Sequence, residues 1–162
     1  MRGARIRRTR RGDFELRLPG AERDVLRSLP SQLRVVLRSG DPALERLFPP
    51  AYAEDARLEE EYRGLVREDL VVTRETSLDV MASTIDATRL DEEQVLAWLS
   101  AINDLRLVLG TRLDVTEDLY ETGLPENDPR TVPFAIYSYL GWLEEQVVLA
   151  LASGLDPAGT RD

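Results

Sequence analysis

The chain has 162 residues, 43% hydrophobic and 31% charged, which fits one folded domain and excludes a wholly disordered chain. Its 21 cations and 30 acids give a net charge of −9, and there is no cysteine and no histidine. Disulfides, thiolate metal sites, thiol nucleophiles, and imidazole as ligand or general base are thereby excluded.

Every cation is an arginine, a bias of the whole composition that marks no single site. Six arginines stand within residues 1–12 without an acid, while the other 150 residues hold 15 arginines and all 30 acids. A basic arm on an acidic body is one arrangement used to reach nucleic acid. The longest apolar run, residues 147–152, has six residues where a bilayer span needs about 20. Met1 leads into arginines without an apolar signal core. A cytoplasmic protein with no membrane contact is expected.

In chain order, residues 4–18 read as a β-hairpin. Phe14, Leu16 and Leu18 alternate with Asp13, Glu15 and Arg17, Ile6 is the apolar member of the preceding strand, and Gly12 lies in the turn. Residues 21–39 carry Val25, Leu26, Leu29, Leu33, Val36 and Leu37 at helical spacing, with a kink or break expected at Pro30 and a stop at Gly40. Asp41 followed by Pro42 predicts an N-cap and a short helix closed by Pro49 and Pro50. Residues 55–87 predict one long helix or two, with the break placed at Val71, Val72 and Thr73. Asp91 with Gln94 three residues on, flanked by Leu90 and Val95, spells a capping box with a hydrophobic staple. The helix it starts is expected to stop at Gly110. Residues 111–130 then read as a loop and 131–153 as the last helix. The fold class is mainly α: a bundle of about five helices with an N-terminal β-hairpin packed on it. A single domain is expected over 1–153, with the helical bundle over 21–153 and a disordered tail over 154–162.

Carboxylate chemistry finds little support. The runs at 59–61, 92–93 and 144–145 lie on helices, where sequence neighbours point about 100° apart and do not converge. No serine sits in a nucleophile elbow, and no phosphate-binding glycine pattern occurs. No catalytic residue, metal site or cofactor is therefore assigned. Three groups remain as candidate contacts. Arg5, Arg7, Arg8, Arg10 and Arg11 would meet nucleic acid or an acidic partner. Asn103, Asp104 and Arg106 interrupt an apolar helix, as a satisfied polar network or a partner patch. Tyr139 and Trp142 lie on a second face of the last helix. Either that helix is central to the domain, or this face makes a homodimer contact.

The segment WLSAINDLRLVLGTRL at residues 98–113 resembles the AosR-like family of bacterial oxidative-stress transcriptional regulators. Weaker matches are the arginine-rich opening with Gly12, the stretch at 26–29, those at 41–44 and 47–49, and the helix at 137–143. The resemblance implies a regulatory protein, not an enzyme, acting with the transcription machinery, and in its characterised members sensing redox state through a cysteine pair. This chain lacks that pair. The expected function is regulation by contact with a protein of the transcription machinery, with DNA contact through the N-terminal arginines as a second component. The alternatives are a proteolysis-associated adaptor or scaffold using residues 111–130 with no nucleic-acid role, and a carboxylate-based hydrolase.

Overall fold

In the computed structural model, residues 3–154 are described, apart from the side chain of Tyr120. Arg2 and most of the expected tail, residues 155–162, lie outside them. Strands β1 (Ile6–Arg8) and β2 (Phe14–Leu16) pair antiparallel with Ile6 opposite Leu16 and Arg8 opposite Phe14. Gly12, at φ 89°, takes the left-handed conformation that lets the chain reverse. A third strand, β3 (Arg89–Leu90), pairs with β2 on its other side. Two residues are too short to show a period, so the sequence discloses only the hairpin. Ile6, Phe14, Leu16 and Leu90 are buried on the inner face of this sheet, while Arg7, Glu15 and Arg89 form one cross-strand row on the outer face.

Helix α1 (Gly20–Ser39) is continuous through Pro30, so of the kink or break expected there the break is absent. Proline inside a helix costs about 3 kcal/mol. Here the ring is itself buried, beside Leu26, Leu33, Val36 and Leu37 of the same face. Gly40, at φ 72°, ends the helix. Asp41 then accepts from the Ala43 amide at 2.8 Å and starts a 3-10 helix, Pro42–Arg46.

Helix α2 (Ala56–Ser83) is a single element, so the break expected at 71–73 is also absent. β-Branched residues cost a helix only tenths of a kcal/mol. Val71 recovers more than that because it is buried in the core. Arg27, Arg34 and Arg38 of α1 form a ladder of ion pairs to Asp86, Asp79 and the Glu68 and Glu75 pair, tying α1 to α2 and the turn after it.

Helix α3 (Glu92–Leu113) begins at the expected capping box: Gln94 donates its amide to Asp91 at 2.8 Å, and its side chain accepts from Asp91 at 2.9 Å. It does not stop at Gly110. It runs on to Leu113 and ends where Asp114 turns left-handed at φ 52°. The expected loop at 111–130 is therefore partly helical: it holds the last turn of α3 and a short helix α4 (Glu117–Thr122) capped by Thr116, with irregular chain between and after them.

Helix α5 (Thr131–Ala152) packs on α3 with one side and on β1 with another. Nine residues of α3 are buried against four of α5, so α3, not α5, is the central helix. The described residues thus form five α-helices, with α1, α2 and α5 packed on α3 and the small sheet closing one end of the core. None of these helices is long and apolar enough to cross a membrane.

Candidate functional site

The hairpin arginines have separate fates. Arg5 folds back on the helices: two of its nitrogens donate to the two carboxylate oxygens of Glu22 in α1 at 2.9 and 2.8 Å. Its guanidinium also lies 5.4 Å from the ring centre of Trp142 in α5. Arg8 turns inward over the Phe14 ring at 4.7 Å and donates to the Leu151 carbonyl at 3.4 Å and to Glu92 at 3.4 Å. Helix α5 has no basic residue in its own last turn, so Arg8 supplies the cation that a helix C-terminus favours. Gly154 gives it room, since a Cβ there would stand 2.5 Å from the guanidinium carbon.

The remaining hairpin arginines face solvent. Arg7 is 65% exposed, and Arg10 and Arg11 sit exposed in the turn with no ion pair to the described residues. The fold adds two arginines that sequence order had set apart, Arg17 just after β2 and Arg89 in β3, 60% and 56% exposed. Arg7 and Arg17 both donate to the same oxygen of Glu15, at 3.1 and 2.9 Å, and Arg89 donates to Asp13 at 2.8 Å. These contacts hold both carboxyls below their ordinary values, Glu15 chiefly through Arg17, and Asp13 chiefly through the Thr9 hydroxyl with Arg89 second. Five guanidiniums against two carboxylates leave this outer face with an excess of three positive charges on an acidic protein. Strand alternation around Glu15 was the signal that could have found Arg17. Arg89 required the pairing of β3.

On α3, Asp104 is fully buried and accepts from Arg74 of α2 at 2.9 Å, while its other carboxylate oxygen has no hydrogen-bond partner. Burial pushes its pKa up to about 6 against the opposing pull of Arg74. Arg106 pairs with Glu144 of α5 and lies 5.3 Å from the Tyr137 ring centre. Asn103 is half-buried and joins neither bond. Asp104 and Arg106 therefore tie α3 to α2 on one side and to α5 on the other. Two glycines let α3 and α5 approach here: a Cβ on Gly110 would stand 3.0 Å from the Tyr137 ring, and one on Gly141 would stand 3.2 Å from the Arg106 guanidinium. Gly110→Val should lower stability by about 1–3 kcal/mol through overpacking. A urea midpoint equal to that of the parent would show that Tyr137 moves aside freely.

Tyr139 and Trp142 are half-buried and contact each other at 6.0 Å between ring centres. The Tyr139 hydroxyl donates to Glu22 at 2.9 Å, so both rings belong to the cluster that seats Arg5. Tyr139 also borders a shallow groove of about 370 Å³ between α1 and α5, with Val25, Val132 and Ile136. Among the described residues, no three acids come together in a way that could hold a metal ion.

Comparison with known proteins adds a family. The model described as "Domain of unknown function (DUF2017)" matches residues 1–151. Similar curated proteins are the oxidative stress regulator AosR of Mycobacterium tuberculosis (strain H37Rv) and of Mycobacterium bovis, and the putative oxidative stress regulator AosR of Mycobacterium leprae. Each is 31% identical over 131 residues, a match covering 70% of this chain and 60% of the relative. The chain thus spans about 60% of the length of the curated relatives it matches. No solved structure gives a significant match.

Proposed function

Because the chain belongs to the DUF2017 family, we propose that it is a non-enzymatic regulatory protein of the oxidative-stress response. It works in the cytoplasm by contact with the transcription machinery. The names of its curated relatives support the regulatory part of this reading. The contact part rests on one observation: the outer face of the sheet gathers Arg7, Arg10, Arg11, Arg17 and Arg89 at the surface of a chain that is otherwise strongly acidic. A surface of this kind attracts and orients an anionic macromolecule. With no cysteine in the chain, its response to oxidants comes from its partners or its abundance and not from a thiol of its own.

Affinity capture from the native cell, read by mass spectrometry, tests this reading. Proteins of the transcription machinery should be recovered by the parent chain and depleted when Arg7, Arg17 and Arg89 are replaced by serine. Equal recovery by parent and variant, or recovery of no transcription protein, would overturn it.

A further inference from the structure

We propose that the outward face of α2 docks a basic amphipathic helix of another protein. This surface is separate from the arginine face of the sheet, and the inference does not depend on that face.

Helix α2 is buried in one half only. Its buried side chains, Val71, Leu78 and Met81, all lie in the second half, where α1 and α3 pack on it, whereas residues 56–70 are half-buried or exposed. The large apolar side chains that α2 leaves exposed are Leu58, Leu65 and Val72, and Leu65 is 80% exposed. They stand seven residues apart, two turns of helix, so they form one stripe about 21 Å long. At about 100° per residue, Leu65 lies about 120–160° round the helix from the three buried residues. Single apolar residues on a surface are ordinary, but three in heptad register make the seam of a helix pair. Tyr62, one turn on from Leu58, stands beside the stripe, edge-on to Tyr52 with ring centres 6.1 Å apart. Aromatic and apolar anchors of this kind carry most of the energy of a protein contact.

Charge selects the occupant. Residues 54–69 hold seven acids against three arginines. Glu61, Glu68 and Asp69 border the stripe and are exposed. Glu61 has Arg57 at 3.7 Å, and Glu68 shares Arg38 with Glu75. Arg63 and Arg67 lie on the opposite side of the helix, Arg63 on Glu59 at 3.2 Å and Arg67 over the Phe48 ring at 5.7 Å. The stripe is thus apolar between carboxylates. A second copy of the chain fits it poorly, because antiparallel pairing about Leu65 sets Glu61 of one copy against Glu68 and Asp69 of the other. A helix with apolar residues at the same spacing and Lys or Arg on its flanks matches both the seam and its borders.

The test is fluorescence anisotropy of a labelled synthetic peptide titrated with the full chain. The peptide has three heptads, with Leu at the a and d positions and Lys at e and g. Binding should appear at low salt and weaken as salt rises. Leu58→Gln with Leu65→Gln should weaken it at least about tenfold. Both residues are exposed and Gln keeps a similar helix propensity, so the thermal melt should be unchanged. Glu61→Gln with Glu68→Gln should weaken binding and lessen its salt dependence. Val35→Gln with Val132→Gln removes two exposed apolar side chains elsewhere and should leave binding as it is.

No binding of this peptide, or an equal loss in the two apolar double variants, would overturn the proposal. So would equal binding of a peptide with Ser in place of every Leu, which would mean charge alone, or of one with Glu in place of every Lys. A concentration-dependent dimer in sedimentation that disappears in Leu58→Gln with Leu65→Gln would make the occupant a second copy and would also overturn it. Each of these outcomes leaves the reading of the arginine face standing.

Discussion

Trp98→Ala should lower the stability of the chain by about 3–5 kcal/mol, the cost of emptying a large aromatic site in a packed core. Trp98 is fully buried on α3, and its indole N–H donates to the Thr84 hydroxyl at 2.7 Å, which in turn donates to the Val80 carbonyl at 2.6 Å. The side chain thus joins the central helix to the end of α2 by volume and by a short chain of hydrogen bonds. Trp98→Phe separates the two contributions. It keeps most of the ring but leaves the Thr84 hydroxyl without its donor, for a loss of about 1–3 kcal/mol from both effects. Urea midpoints of the two variants measure the difference. Equal losses would mean that the hydrogen bond, not the volume, dominates.

The second large effect is a pH dependence carried by Asp104. Its carboxyl has no exposed surface, one bond to Arg74 and one oxygen without a partner, and burial raises its pKa from 3.8 to about 6. The folded chain therefore holds this proton more tightly than the unfolded chain does. The resulting contribution to stability is fully present below about pH 3.8 and is lost as the pH rises through about 6. A shift of this size corresponds to about 3 kcal/mol over the whole window, of which about 1 kcal/mol falls between pH 8 and pH 5.

Asp104→Asn keeps an acceptor for Arg74 and removes the buried charge. The parent should gain stability relative to this variant as the pH falls from 8 to 5, and the variant should be at least as stable as the parent at pH 8. Asp13, Glu15, Asp41, Glu75 and Asp86 act in the opposite sense: their carboxyls are lowered, Asp13 chiefly by the Thr9 hydroxyl and the others by arginine or backbone partners, so their contribution is lost in acid below the ordinary carboxylate range. Melting curves kept at or above pH 5 isolate Asp104. Parallel curves for parent and variant would contradict the assignment.

Glycine shows how one residue type can carry two meanings. Gly40 ends α1 in the left-handed conformation, as its place after the last apolar position suggests. Gly110 follows an equally regular apolar run, yet α3 continues past it because the glycine serves to admit Tyr137 from α5. At Pro30 the break does not occur: the local cost is real, and burial of the ring together with the apolar face it belongs to offsets it.

Local physics alone settled a good deal from the amino-acid order: the hairpin, the capped start of α3, the helical spacing of α1 and α5, and the absence of thiol and imidazole chemistry. Each depends on residues within a turn or two of one another. Assembly decided which charges remain available. Arg5 is consumed by Glu22 and Trp142, Arg8 by the end of α5, and Asp104 by Arg74, whereas Arg17 and Arg89 join the outer face. Those partners come from distant parts of the chain, and a periodic pattern carries no record of which distant side chain will arrive within hydrogen-bonding distance.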